Sequence, residues 1–188
     1  MKSELRDAVR NCSACNPCRL ASGPVWGEGN PLAKVMIVGE QPGDEEDLAA
    51  RPFVGPGGQV LDRALGQAGI ERERVYLTNA VKAFKFEERG KRRIHQNPRA
   101  SECNLPPVTS RGNCHHPSKV VCLGSSAAQS VLGRKVQIAN ERASWIMSGQ
   151  QRVLVTYHPS AVLRVPEAAA QPTIYSMLVA DLMLIHSA

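Results

Sequence analysis

The chain has 188 residues, of which 43% are apolar and 21% charged, and this composition predicts one globular domain over residues 1–188 rather than a disordered chain. No apolar run approaches the roughly 18 residues of a membrane span, and the first residues lack the apolar core of a secretion signal, so we expect a cytoplasmic protein with no membrane partner. The net charge of +6 suits a polyanionic partner, although many basic proteins bind no nucleic acid.

Three cysteines lie close together near the N-terminus, at Cys12, Cys15 and Cys18. Without a secretion signal, such cysteines indicate thiols or metal ligation rather than a disulfide framework. A two-residue spacing lets neighbouring sulfurs converge on a zinc ion or an iron–sulfur cluster, for which distant residues must supply the remaining ligands. The alternative, a small buried residue, fits Cys122 better because it lies in a predicted strand.

Short β-branched runs predict four strands, at residues 34–39, 75–79, 120–124 and 153–157. Apolar residues at spacings of three and four predict a helix over 57–68, ended by Gly69, and two more helices are predicted over 125–132 and 173–186. This alternation predicts a three-layer α/β/α fold in which helices cover both faces of a central, mostly parallel four-stranded sheet. Ligands of such sheets bind at the carboxyl ends of the strands.

Two segments do not fit this alternation. Residues 87–98 are charged and contain a glycine, which predicts an exposed loop. Residues 104–117 carry three prolines, which excludes a continuous helix.

Polar side chains follow three of the predicted strands. The loop after the first strand presents Glu40 and Gln41, and Phe53 follows in a glycine- and proline-rich stretch. Asn79 ends the second strand, and its amide can both donate and accept, as recognition of a base edge requires. His158 follows the fourth strand and can hydrogen-bond an anionic oxygen. Taken singly, these residues also fit a tight connection, a strand-end turn and a packed or capping histidine.

Seven short motifs occur in a definite order along nearly the whole chain. They are C-x-x-C at 12–15, GEG at 27–29, GEQPG at 39–43, PFVGPGG at 52–58, TNAVK at 78–82, LG at 123–124 and HPS at 158–160. In this order they resemble the uracil-DNA glycosylases of the iron–sulfur type. The insertion KRRIH at 91–95, together with GEQPG, is similar to the UdgX branch specifically. In that branch a histidine captures the damaged sugar covalently.

The resemblance implies an enzyme that flips uracil out of DNA, preferably single-stranded DNA, and excises it as a monomer. The catalytic residues would be His95, Glu40, Gln41 and His158, and the substrate-binding residues Gly39, Phe53, Asn79 and Ser160. The DNA contacts would be Lys82, Lys91, Arg92, Arg93 and Arg164. His95 would attack the sugar as a neutral imidazole, with Glu40 accepting its proton or orienting it, while His158 stabilises the departing uracil. Two alternatives are a conventional turnover glycosylase and a non-catalytic binder of abasic or single-stranded DNA.

The resemblance also implies a [4Fe-4S] cluster, whose ligand positions map to Cys12, Cys15, position 83 and Cys103. Position 83 is Ala83, which cannot ligate iron. Either another residue replaces it, or the cluster is incomplete or absent. The replacement candidates are Cys18, Cys114, His115 and His116. We expect a retained cluster.

Overall fold

The computed structural model describes residues 21–90, 92–98, 117–165 and 171–187. The expected cluster ligands Cys12, Cys15 and Cys103 lie outside the described residues, as does Lys91. The same holds for nearly all of the proline-rich stretch at 104–117.

Eight strands lie in the described part of the chain. They are β1 (Glu28–Gly29), β2 (Val35–Gly39), β3 (Tyr76–Asn79), β4 (Phe86–Arg89), β5 (Arg92–His95), β6 (Lys119–Leu123), β7 (Trp145–Ser148) and β8 (Gln151–Thr156). Six of them form one sheet in the order β1-β3-β2-β6-β8-β7, and β4 and β5 form a separate hairpin.

The four central strands of the sheet, β3, β2, β6 and β8, are parallel to one another and are the four that the sequence predicts. The predicted strand count of four is nevertheless too low, because the sheet contains six among the described residues. Strands β1 and β7 are added antiparallel at its two edges. Strand β1 has only two residues and β7 only four, and both lack the continuous burial that marks the central strands, so neither gave a clear strand signal.

The predicted exposed loop over 87–98 is wrong in its secondary structure. Strands β4 and β5 pair antiparallel there, with Glu87 opposite Ile94 and Glu88 opposite Arg93. The turn between them contains Gly90 in the left-handed region, at φ 64°. Charged side chains cover most of the hairpin, so backbone pairing holds it together and no apolar alternation reveals it.

Six α-helices accompany the strands in these ranges: α1 (Asp44–Ala49), α2 (Pro56–Gln67), α3 (Ser125–Leu132), α4 (Ile138–Glu141), α5 (Pro159–Arg164) and α6 (Gln171–Met183). The predictions of α2, α3 and α6 are confirmed, with the last three residues predicted for α6 forming a 3-10 turn, Leu184–His186. The short helices α1, α4 and α5 were not predicted, because four to six residues are too few to show a helical period.

Two apolar clusters cover the two faces of the sheet. On one face Ile37 and Leu154 pack with residues of α2 and α6, including Leu61 and Leu178. On the other face the cluster contains Met36 and Val38 of β2 together with residues of α3. Successive residues of β2 therefore point to opposite faces, as a strand buried on both sides requires. This confirms the predicted α/β/α layers. Within the described ranges, no helix is long and apolar enough to cross a membrane.

Candidate active site

A cavity of about 500 Å³ opens at the carboxyl edge of the parallel strands. Its walls come from the ends of β2, β3 and β6, from the junction of β8 with α5, and from the end of the β4–β5 hairpin. Most of the residues expected to act on the substrate lie in these walls: Glu40, Gln41, Phe53, Asn79, His95, His158, Ser160 and Arg164. The parallel strands bring together the residues that follow β2, β3 and β8, and the separate hairpin adds His95.

Gly39 allows the amide of Asn79 and the ring of Phe53 to meet at the base of the cavity. A methyl group at Gly39 would lie 2.3 Å from Asn79 Oδ1 and 2.7 Å from Phe53 Cζ, so a larger residue does not fit. Phe53 itself has a left-handed backbone at φ 55°, which is unfavourable for an aromatic residue and is typical of functional sites.

Glu46 joins the two glycine-rich loops that surround the cavity. One carboxylate oxygen accepts the Gly43 N–H at 3.1 Å, and the other accepts the Gly55 N–H at 3.1 Å. The first contact is the glutamate half of a capping box at the start of α1, since Gly43 has no side chain to supply the other half. Our sequence analysis missed Glu46, although an acidic residue three positions after a helix-start residue is a recognisable signal.

His158 is held in one tautomer. Its Nδ1 faces two donors of Ser160, the backbone N–H at 3.2 Å and the hydroxyl at 2.7 Å. Burial lowers the pKa of His158 to about 4, helped by the positive charge of Arg164 and by His95. The ring is therefore neutral near pH 7, and because Nδ1 accepts, its single proton lies on Nε2. His158 is thus prepared to donate one hydrogen bond without carrying a charge.

A buried network fixes the strand end that carries His158. The hydroxyl of Thr156 donates to Asp181 Oδ2 at 2.6 Å, and Arg142 donates to Asp181 Oδ1 at 2.7 Å. Burial raises the pKa of Asp181, against the lowering effect of these two partners. Arg142 also lies 5.7 Å from the ring centroid of Tyr157. These contacts therefore fix Thr156 and Tyr157, the two residues that precede His158.

His95 and Glu40 face each other across the cavity. Nε2 of His95 lies 3.7 Å from Glu40 Oε1. Burial lowers the pKa of His95 below its usual 6.5, partly opposed by Glu40 and reinforced by Arg164, which leaves the imidazole neutral near pH 7. The other oxygen of Glu40 accepts a hydrogen bond from the hydroxyl of Ser126 at 2.5 Å. Ser126 was not predicted, because it lies 86 positions away from Glu40 and no motif marks it.

Gln41 connects the cavity to the hairpin. Its Nε2 donates to the backbone oxygens of Lys85, at 3.2 Å, and Gln96, at 3.1 Å, which lie just outside the two hairpin strands. Its Oε1 is buried and has no hydrogen-bond partner among the described residues. A buried acceptor without a partner is costly unless a bound molecule satisfies it.

Arg93 was expected to contact DNA, but it makes internal ion pairs instead. Its guanidinium lies 2.5 Å from Asp44 Oδ1 and 2.6 Å from Asp47 Oδ2. It also lies over the rings of Phe84 and Phe86. Arg93 therefore fastens the hairpin that carries His95 to helix α1. Pairings across 46 or more positions of sequence cannot be inferred from a basic run alone.

Lys82 was also expected to contact DNA, and it too is engaged internally. Its ammonium donates to Thr78 Oγ1 at 2.6 Å and to the Asn79 backbone oxygen at 2.7 Å. Burial lowers the pKa of Lys82 to about 8. Lys82 thus stabilises the end of β3, next to Asn79. Of the other expected DNA contacts, Arg92 and Arg164 are exposed, and Leu163 adds an exposed apolar side chain that also lines the cavity.

The described residues do not provide a ligand set for an iron–sulfur cluster. No group of three or more histidine, cysteine or acidic side chains among them is arranged to hold a metal. Ala83 is buried, and its methyl group offers no donor atom. Cys122 is buried in β6, and burial raises the pKa of its thiol, in keeping with the predicted structural role.

Together, these groups suit a defined kind of reaction. The amide of Asn79, the ring of Phe53 and the neutral donor His158 can hold a flat heterocycle with a polar edge. Glu40 and His95 line the same cavity, and a carboxylate there can stabilise positive charge that develops as a heterocycle leaves. The fold and the site thus suit an enzyme that cleaves the bond between a base and a sugar.

Comparison with known proteins agrees with this class. Residues 26–182 match the uracil DNA glycosylase superfamily. A type-4 uracil-DNA glycosylase of Pyrobaculum aerophilum is 34% identical over 171 residues, which are 87% of this chain and 85% of that protein. The type-4 enzyme of Thermotoga maritima is 33% identical over 172 residues, 84% of this chain and 81% of that protein. The chain belongs to the uracil DNA glycosylase superfamily, and is therefore a DNA N-glycosylase, a hydrolase of DNA repair.

Proposed function

We propose that the chain excises uracil from DNA, preferably single-stranded DNA, and then remains covalently attached to the abasic sugar through His95, as in the UdgX branch. The observation that supports covalent capture is the position of His95 Nε2, 3.7 Å from Glu40 Oε1 in the wall of the cavity. A conventional glycosylase needs a water molecule at that place. Here a neutral imidazole occupies the wall.

Recognition of uracil begins with a flipped nucleotide, because a base inside a duplex cannot enter such a cavity. A single strand lacks the pairing that must be broken, which is the reason for the proposed preference. Phe53 would stack on the base and Asn79 would bond its polar edge. The free Oε1 of Gln41 is a further acceptor in the same cavity.

Cleavage creates an anion on uracil and positive charge on the sugar. The Nε2–H group of neutral His158 would donate a hydrogen bond to the uracil oxygen as the bond between N1 and C1′ breaks and its electron pair leaves with uracil. Because the pKa of His158 is about 4, we expect a hydrogen bond here and not transfer of a proton from an imidazolium.

Capture then uses His95 in place of water. The unprotonated nitrogen of the neutral ring bonds to C1′ with its lone pair, while the other ring nitrogen keeps its proton, so the alkylated ring is an imidazolium. The products are this imidazolium, the Glu40 carboxylate and the uracil anion, so the net charge is −1 before and after. Glu40 thus stabilises the positive charge of the sugar first and that of the ring afterwards.

The strand would be held by the exposed cations Arg92 and Arg164, of which Arg164 lines the cavity, and by Lys91. Phosphate contacts of this kind weaken as salt rises. Lys82 and Arg93 are not included, because their internal partners occupy them.

The proposal is tested by mixing the protein with a single-stranded oligonucleotide that contains one uracil and separating the products after heating in SDS. We expect a shifted band that contains protein and DNA in a ratio of one to one, and free uracil in equal amount. The matched oligonucleotide with thymine in place of uracil should give no band. Uracil release in excess over enzyme, without a shifted band, would show a turnover glycosylase. The absence of uracil release together with DNA binding would show a non-catalytic binder.

The pH dependence of capture follows from the state of His95. Attack requires the neutral ring, and a pKa lowered below 6.5 keeps the ring neutral to more acid pH. We therefore expect the rate of adduct formation to fall as the pH is lowered, with a midpoint below pH 6.5. Single-turnover rates as a function of pH measure it. A decline whose midpoint lies above 6.5 would contradict the burial of His95.

Replacement of Arg93 by alanine should loosen the hairpin and destabilise the protein. The change leaves the buried carboxylate of Asp47 without its guanidinium, which typically costs about 3 kcal/mol of folding free energy. Ser22, which also donates to Asp47, keeps the loss from being larger. Urea unfolding measures the effect, and Arg92→Ala is the control, since an exposed neighbour should change stability by at most about 0.5 kcal/mol. Equal stability of both variants would refute the anchoring role.

We further propose that a [4Fe-4S] cluster is retained on Cys12, Cys15 and Cys103 and that the protein is a monomer. Membership of the superfamily and similarity to type-4 enzymes support the cluster. Its fourth ligand would come from Cys18, Cys114, His115 or His116. Iron and sulfide analysis of the purified protein tests it, with Ala83→Cys as the comparison that restores the ligand position of the related enzymes. Light scattering tests the monomer.

A further inference from the structure

We infer that Ser126 is a positioning residue for covalent capture, and that it decides which oxygen of Glu40 faces His95. The inference rests on the proposed function. The hydroxyl of Ser126 donates to Glu40 Oε2 at 2.5 Å, while Oε1 of the same carboxylate is the atom that lies 3.7 Å from His95 Nε2. Serine, glutamate and histidine thus form one chain across the cavity, and each comes from a different element.

Ser126 is held rigidly. It lies in the first turn of α3, and the next two residues, Ala127 and Ala128, are fully buried against the sheet. Glu40, in contrast, follows the last residue of β2 in a loop, and 23% of its side chain is exposed. The torsion next to a carboxylate is soft, so a free Glu40 could turn either oxygen, or neither, toward His95. A hydrogen bond from a fixed helix removes that freedom.

The chemical consequence concerns the positive charge that the His95 ring acquires when its unprotonated nitrogen bonds to C1′. A carboxylate oxygen that faces the ring can orient it before the attack and balance this charge afterwards. The hydrogen bond from Ser126 to Oε2 leaves Oε1 in that position. The same arrangement keeps the carboxylate close to the positive charge that develops on the sugar.

Loss of the hydroxyl should spare the fold. Ser126 does not cap α3, since Gly124 is the residue that precedes the helix and no side chain caps it. The side chain of Ser126 is also partly exposed. An alanine at this position is a good helix former, so Ser126→Ala should fold as the parent does.

The experiment compares Ser126→Ala, Ser126→Thr and Ser130→Ala in the full-length protein, using the single-uracil oligonucleotide. Ser130→Ala is the matched control, because it removes a hydroxyl from the same helix one turn further on, outside the cavity. A hydrogen bond to a charged group is worth enough to slow a step about tenfold to a hundredfold when lost. We expect that loss of adduct rate in Ser126→Ala, and nearly the parent rate in Ser126→Thr and in the control.

A second comparison separates positioning from a structural effect. In a Glu40→Gln background, Ser126→Ala should cause little further slowing, because the group that it positions has been altered. An equal slowing in both backgrounds would overturn the inference, as would a parent-like adduct rate in Ser126→Ala. If the parent protein itself forms no adduct while it releases uracil, the proposed capture fails first, and the inference fails with it.

Discussion

Replacement of His95 by alanine is expected to abolish the SDS-resistant complex, with adduct formation reduced by at least about a thousandfold, because alanine has no nucleophile. Uracil release should continue. The groups that bind and stabilise uracil, Asn79, Phe53 and His158, remain in place, and the space vacated by the imidazole admits water next to Glu40. The variant should therefore turn over as an ordinary glycosylase. A gel shift and a uracil-release assay on the same reaction measure both effects.

The matched control for this variant is His186→Ala. His186 lies in the 3-10 turn after α6, where its ring contacts the backbone oxygen of Ala68 at 2.7 Å, far along the chain from the cavity residues. It should form the adduct at the parent rate. A shifted band that persists in His95→Ala would show that another residue is the nucleophile.

Replacement of His158 by alanine is expected to slow uracil excision by about a hundredfold to a thousandfold, the effect typical of losing one preorganised donor to a developing anion. The adduct should form correspondingly slowly, because capture cannot precede departure of the base. Single-turnover release of uracil measures the effect.

A substrate with a more stable leaving anion provides the control for this variant. With 5-fluorouracil in place of uracil the loss in His158→Ala should shrink, since the departing base then depends less on the donor. An equal loss with both bases would indicate that His158 acts on binding or folding rather than on the leaving group. An unchanged rate in His158→Ala would refute its role altogether.

The central strands could be predicted from the sequence because each is a short β-branched run buried on both faces, as β6 and β8 are. The edge strand β7 is only partly buried and gave no such signal. The β4–β5 hairpin was missed for a related reason. Its stability depends on backbone pairing and on Arg93, whose partners Asp44 and Asp47 are distant in sequence.

The candidate site was predicted as far as strand ends determine it. Glu40, Asn79 and His158 each follow a parallel strand, so their convergence follows from topology. The roles of Lys82 and Arg93 depend on which acceptors lie nearby, and charge alone could not distinguish a phosphate from Thr78 or Asp47. The contact of Ser126 with Glu40 could not be predicted, because it depends on how the end of β6 lies beside the end of β2.

The most direct test of covalent capture is identification of the modified residue. The adduct with a single-uracil oligonucleotide is digested with nuclease and trypsin and analysed by tandem mass spectrometry. Cleavage after Arg93 and Arg99 gives a peptide of residues 94–99 that contains His95 as its only histidine. We predict that this peptide carries the deoxyribose remnant on His95. Complete release of uracil with an unmodified 94–99 peptide, or with the remnant on another residue, would contradict the account.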